Sequence, residues 1–240
     1  MGPYDDEFFR RHREGARRSA RAIVPLVLNL VPARSVADIG CGQGTWLSVF
    51  RELGVEDVLG IDGPYVDRER LEIPADRFLP RDLSEPFRVD RTFDLAVSLE
   101  VAEHLPESSA EGFVASLTRL APVVLFSAAA PYQGGQHHVN EQWPAYWAMR
   151  FARHDFGPVD CLRRRIWTNR DVDWWYAQNS FLYVHREKLE SSEALQRERQ
   201  TAGAEALPLV HPRRFVEWVE WGLGMCGAEP LPAARTETSE

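Results

Sequence analysis

The chain has 240 residues, of which 44% are hydrophobic and 27% charged, which fits a folded domain and excludes a mostly disordered or collagen-like chain. No run of about 18 apolar residues occurs, so no membrane span is expected. A net charge of −8 argues against a general nucleic-acid binder, whose affinity comes mainly from neutralising phosphates. The cysteines Cys41, Cys161 and Cys226 form no CxxC pair. That excludes a disulfide scaffold and fits a reducing cytoplasm. The N-terminus has no apolar h-region, so no signal peptide is expected. Among 28 basic residues only Lys188 is a lysine, which reads as codon bias.

Residues 5–31 read as a helix with a loose apolar face, and Pro25 is expected to kink or restart it. Arg10, Arg11, Arg13, Arg17, Arg18 and Arg21 line much of the rest; a solvated face is preferred to a phosphate-binding patch. Short apolar runs follow at 35–39, 58–62, 77–82, 93–99 and 123–127, with helical stretches after the first and the fourth, the latter reaching residue 120. This alternation predicts a mostly parallel sheet with helices on both faces. A Gly- and His-containing loop spans 128–140, and a Trp-rich helix spans 141–151 with Asn140 as N-cap and Pro144 in its first turn. Ile166–Trp167 and Ser180–Val184 read as the last strands. Residues 189–206 are polar and helical or mobile. The amphipathic stretch 211–223 packs on the same chain in the preferred reading and pairs subunits of a homodimer in the other. The division is an N-terminal segment 1–34, a core 35–188, a helical extension 189–227 and a disordered tail 228–240.

One motif carries the function. Val36-Ala-Asp-Ile-Gly-Cys-Gly-Gln-Gly44 is a strand entering glycines at alternate positions, where a backbone without Cβ can turn tightly and approach a ligand. The spacing G-x-G-x-G departs from the dinucleotide fingerprint G-x-G-x-x-G. Asp38 would repel a pyrophosphate and suit an ammonium group, while Asp62, at the end of the next strand, can take ribose hydroxyls. An amine, a ribose and no phosphate point to S-adenosylmethionine.

At these residues the sequence resembles the class I S-adenosylmethionine-dependent methyltransferases. Their first motif, D-x-G-C-G-x-G, is similar to Asp38-Ile-Gly-Cys-Gly-Gln-Gly44. Gly60-Ile-Asp62-Gly63, Arg81-Asp82-Leu83 and Phe93-Asp-Leu-Ala-Val-Ser-Leu-Glu-Val-Ala-Glu-His-Leu105 match the later motifs in order. The resemblance implies a Rossmann-like fold: a mostly parallel seven-stranded sheet with an antiparallel last strand. It places Asp38, Gly40, Cys41, Gly42 and Gly44 at the methionine moiety, with Cys41 small and packed. Asp62 and Gly63 fall at the ribose, Asp82 and Leu83 at the adenine, and Leu99 and Glu100 beside the sulfonium.

The loops after the fourth and fifth strands would face the methyl acceptor. They hold Glu100, Glu103, His104, His137 and His138. In Glu100-x-x-Glu103-His104, Glu100 and either Glu103 or His104 are expected to share one face of a helical turn. Two readings stay open. Glu100, Glu103, His104 and His138 form a ligand set for a divalent cation, similar to the metal-dependent 2′-O-methyltransferases of small-RNA 3′ ends. Alternatively, His138 or His137 does acid–base work on an acceptor hydroxyl; Glu103 and His104 are further catalytic candidates, although His104 reads equally well as a packed or hydrogen-bonded helix residue. His137, Trp143, Trp147, Trp175 and Gln178 are candidates for contact with a small-molecule substrate, although core and lid packing is the better reading for most of the aromatics. The expected reaction is methyl transfer to a sugar or natural-product hydroxyl. RNA ribose and nitrogen acceptors, and a non-catalytic cofactor-binding sensor or partner subunit, are the alternatives.

Overall fold

The computed structural model describes the backbone of residues 6–203, 205 and 207–226, and the side chains from Arg13 to Gly222 within that span. The proposed tail 228–240 and the side chains of Arg10, Arg11 and Cys226 lie outside the described residues.

The chain opens with helix α1 (Asp6–Leu30), which runs on through Pro25 as one element instead of restarting there. Strand β1 (Ser35–Ile39), helix α2 (Thr45–Glu52), and strands β2 (Asp57–Asp62), β3 (Phe78–Pro80) and β4 (Leu95–Leu99) follow. Helix α3 (Ala110–Leu120), strand β5 (Val123–Ser127), helix α4 (Pro144–Ala152) and strand β6 (Phe156–Val159) come next. Helices α5 (Arg163–Ile166) and α6 (Trp174–Asn179), strand β7 (Phe181–His185), and helices α7 (Arg186–Glu190), α8 (Glu193–Ala202) and α9 (Pro212–Cys226) complete the order.

The strands form one seven-stranded sheet in the order β3-β2-β1-β4-β5-β7-β6. Neighbours from β3 to β5 are parallel, and β7 runs antiparallel to both β5 and β6, so only the last strand in the chain is reversed. Side chains alternate between the two faces. Val36, Val58, Leu95, Val97 and Leu125 face a layer made by α1, α2 and α6, through Ile23, Phe50 and Tyr176. Ala37, Ile61, Ala96, Val124 and Phe126 face α3 and α4, through Phe113, Leu117, Trp147 and Phe151. Both faces of the sheet are covered, as an apolar parallel sheet requires.

Two expectations are corrected. Ile166–Trp167 is not a strand: Ile166 closes the short helix α5, and Arg163 in that helix is buried against Asp160 and the Phe181 ring. The remaining strand is β6, whose sequence Phe-Gly-Pro-Val carries two strand breakers; Pro158 is tolerated because β6 is an edge. Trp143, not Asn140, is the N-cap of α4, although Pro144 does sit in its first turn. The basic face of α1 meets carboxylates: Arg17 pairs with Glu52 and Glu72, and Arg21 pairs with Glu52.

Topology fixes where a ligand can go. From β1 the chain moves outward to β2 and β3, then crosses back to β4 on the other side of β1. The loops after β1 and β4 therefore diverge and leave a crevice at their carboxyl ends.

An aromatic cluster lies under α4 on that face. Phe151 stacks on Tyr183 at 3.9 Å and 8°, and Phe126 meets Trp147, Phe151 and Tyr183 at 5.3–5.8 Å. Phe151→Ala is expected to destabilise the fold by about 3–5 kcal/mol, read as a lowered urea midpoint at an unchanged slope.

Candidate active site

Gly40, Gly42 and Gly44 all have positive φ, at 83°, 52° and 84°. At Gly40 a Cβ would strike Val101 at 2.3 Å, and at Gly44 it would crowd Ile73 at 3.1 Å. At Gly42 nothing lies within 4 Å, so this peptide faces open space. The turn is held from both ends: Gly40 N–H donates to Ile61 O at 2.8 Å, and Gly42 N–H donates to Asp62 Oδ2 at 2.7 Å. Arg13 of α1 donates to Gln43 Oε1 at 3.1 Å, so the N-terminal helix touches the turn from outside. Cys41 is a buried thiol lying against Gly60, and burial pushes its pKa up.

Carboxyl groups gather around this turn. Asp62 accepts from Gly42 N–H, from Gly63 N–H at 2.6 Å and from the Tyr65 hydroxyl at 2.6 Å. Tyr65 gives no sequence signal, because an exposed tyrosine in a turn has no pattern. Asp38, at the end of β1, is 3% exposed. Burial, helped by the charge of Asp62, pushes its pKa up to about 8.

Glu100 follows β4 with φ at 53°, a strained position for a side chain larger than glycine. Its N–H donates to both the carbonyl (3.0 Å) and the hydroxyl (3.1 Å) of Ser127, which hold it there. Its carboxylate accepts from Gln133 Nε2 at 2.7 Å and Asn179 Nδ2 at 3.2 Å. Asn179 also donates to Gln133 Oε1 at 2.8 Å, and Gln178 donates to Asn179 Oδ1 at 3.2 Å. Among the described residues, Asp38, Asp62, Glu100 and Glu103 have no ion-pair partner. A site with this surplus of unpaired acid fits a cationic ligand.

The expected helical turn at Glu100-x-x-Glu103-His104 is not formed. After the left-handed Glu100 the chain makes two short 3₁₀ turns, Ala102–His104 and Glu107–Ser109, before α3 begins. Glu100 and Glu103 stay close enough for their charges to interact. Glu103 is wholly buried, its carboxyl oxygens have no hydrogen-bond partner, and burial with the nearby Glu100 charge raises its pKa well above the carboxylate range. One ligand atom each from Glu103, His104 and His138 lies within 4.8 Å of the others. Glu100 is not in this group; it is taken up by the amides. His104 and His138 meet edge to face at 4.8 Å, and burial, followed by His138, lowers the pKa of His104. His138 Nδ1 lies 2.9 Å from Glu141 Oε1. Its Nε2 packs over Gly135, where a Cβ would stand 2.3 Å away. His137 has positive φ, at 57°, and points into an exposed part of the loop.

A model for the methyltransferase domain matches residues 9–207, most of the chain. The chain belongs to the methyltransferase family. Several solved structures share the fold of this methyltransferase. DesVI of Streptomyces venezuelae is 16% identical over 75% of this chain and 96% of its own, with a TM-score of 0.58. The sugar N-methyltransferase KedS8 of Streptoalloteichus is 19% identical over 78% and 94%, also at 0.58. The magnesium protoporphyrin IX methyltransferase of Synechocystis, with S-adenosylhomocysteine bound, is 17% identical over 77% and 90%, at 0.52. No curated protein matches the sequence. The class I S-adenosylmethionine-dependent methyltransferase fold is thus established, and no described helix is long and apolar enough to cross a membrane.

The remaining sequence candidates in this methyltransferase fall into distinct places. Asp82 is exposed after β3 and accepts from Ser84 N–H and hydroxyl, which lower its pKa; Leu83 beside it is buried. Leu99 is buried at the end of β4. Trp147 is 2% exposed and packs against Phe126, so it is core and not a substrate contact. Trp175 is partly buried and packs at the edge of the opposite core, against Trp174 and Tyr176. Gln178 is buried, and its Oε1 accepts from His211 N–H at 2.8 Å. Of the aromatic candidates only Trp143 remains open, at 42% exposure.

Asp38 gives a pH prediction. Its folded pKa of about 8 lies above the unfolded value of about 4. The stability it contributes is therefore complete below about pH 4 and is lost as pH rises through about 8. Asp38→Asn should flatten the fall in the urea midpoint of the ligand-free protein between about pH 4 and about pH 8.

Proposed function

We propose that this methyltransferase transfers the methyl group of S-adenosylmethionine to a hydroxyl of a small-molecule acceptor. The observation that carries the reading is the glycine turn with its acids: Gly42 open to the crevice, Asp62 pinned beneath it and Asp38 buried without a counter-charge. When bound, S-adenosylmethionine supplies an electrophilic methyl on a sulfonium. In this reading Asp38 and the Gly40–Gly44 turn receive the methionine ammonium, and Asp62 and Gly63 take the ribose. Asp82 and Leu83 border the adenine, and Leu99 and Glu100 border the sulfonium.

A hydroxyl must lose its proton as it attacks, and the base must be oriented. Glu141 sits on His138 Nδ1 and fixes the tautomer that leaves Nε2 free to accept a proton. Gly135 leaves room for that ring. We therefore assign His138 as the general base and Glu141 as its orienting group.

A second reading is supported by Glu103, His104 and His138, whose ligand atoms converge within 4.8 Å. A divalent cation there would supply the charge that burial denies Glu103, and would lower the acceptor's pKa in place of a base.

Calorimetry on EDTA-treated protein separates the two. S-adenosylhomocysteine should bind without metal, and Gly42→Val or Asp38→Ala should abolish that binding. Undiminished binding in both variants would overturn the cofactor assignment. His138→Ala should keep the cofactor and lose about 10²–10⁴-fold in turnover. Saturable binding of Mg²⁺, Mn²⁺ or Zn²⁺ that disappears in Glu103→Gln and in His104→Ala would favour the metal reading instead.

A further inference from the structure

Beside the carboxylate network lies a cavity of about 310 Å³, bounded by Tyr132, Gln133, Trp143, Gln178 and, from α9, Phe215 and Trp218. Its place in the fold ties it to the reaction centre. Gln133 in its wall is the residue that donates to Glu100 at the end of β4, and the loop that supplies Tyr132, Gln133 and Trp143 also carries His138 and Glu141. Helix α9 forms the outer wall and is fastened to that loop: the Tyr132 carbonyl accepts from Arg214 and, at 3.1 Å, from Trp218 Nε1, and the Tyr132 and Trp218 rings meet edge to face at 5.8 Å.

The chemistry of the walls is specific. Four aromatic side chains surround the space. The two amides beside them are turned inward and spent, while Arg214 is tied to the Tyr132 carbonyl and to Glu217 through its terminal nitrogens and keeps Nε as an unpartnered donor. Gln133 Oε1 accepts from Asn179 Nδ2 and Ala130 N–H, and its Nε2 serves Glu100. Gln178 Oε1 accepts from His211 N–H, and its Nε2 serves Asn179. The Tyr132 carbonyl is already doubly bonded to α9. A polyol entering here would give up water at several hydroxyls and find almost no acceptor for them. A flat apolar ring would lose nothing and bury both faces against aromatic walls. The volume, at the small end of ligand pockets, suits a system of one or two rings.

We propose that this cavity is the acceptor pocket and that it takes a flat, largely apolar ring system in preference to a sugar, with α9 as the specificity wall. The inference rests on the methyltransferase reading above and narrows its acceptor.

The test uses the full chain with 6-propionyl-2-(dimethylamino)naphthalene, an uncharged, flat two-ring probe that brightens in apolar sites, and methyl glucopyranoside as the polyol competitor. The probe should bind one saturable site per chain in the presence of S-adenosylhomocysteine. Val219→Trp, which fills the cavity from α9, and Phe215→Ala, a half-exposed position that the fold tolerates, should each weaken it about tenfold or more. Calorimetry should show S-adenosylhomocysteine affinity unchanged within about twofold in both variants, because neither touches the glycine turn. Methyl glucopyranoside should fail to displace the probe. Displacement by the glucoside, or probe binding indifferent to both variants, would overturn the pocket assignment while leaving the cofactor reading intact. Loss of S-adenosylhomocysteine binding in the unaltered protein would instead overturn the methyltransferase reading beneath it.

Discussion

The surplus of carboxylate at the carboxyl edge of the sheet is the constraint from which the rest of the site follows. Asp38 and Glu103 are out of reach of water, and none of the described arginines is brought in to neutralise them. A fold that merely needed stability would pair such groups or replace them with apolar ones. Here Asp38 is left buried without a counter-charge, and burial, helped by the charge of Asp62, pushes its pKa up to about 8. The left-handed glycines serve the same end. They turn the chain sharply enough to bring peptide N–H groups toward Asp62 without a side chain filling the crevice.

Glu100 illustrates how the fold supports an unfavourable conformation. Its positive φ is stabilised from β5, through both groups of Ser127, and from α6, through Asn179. The amide chain continues from Asn179 to Gln178 and then to the backbone of His211, at the entrance to α9. Strand, loop and C-terminal helix are thus joined by directional bonds across 111 residues of sequence, from Glu100 to His211. The position of α9 and the geometry at the end of β4 are therefore not independent.

The sheet from β1 to β5 was legible in the sequence because each strand is a short apolar run bounded by a turn, and the glycine spacing after β1 admits few ligands. The stretch Glu100–His104 was misread for a physical reason. Spacings of three and four residues signal a helix, yet Glu100 is left-handed and Leu105 precedes a proline, which disfavours the helical region. The tryptophans were ambiguous by nature: Trp147 and Phe151, four residues apart, share the buried face of α4, whereas Trp143 stands just outside it. The roles of Gln133 and Arg214 were not legible, since they depend on contacts between segments that no local pattern records.

The outermost strand, β6, has a consequence of a different kind. It bonds to β7 on one side only, leaving a row of backbone groups with no strand beyond it. Such a border is a template on which another chain can grow a sheet. Pro158 removes one donor from that row, the strand is only four residues long, and the Arg199 guanidinium of α8 lies against Gly157. The same Gly-Pro pair that hides this strand from a sequence reader also denies it to a neighbouring molecule, so the sheet ends where the protein does and concentrated protein is protected against edge-to-edge growth.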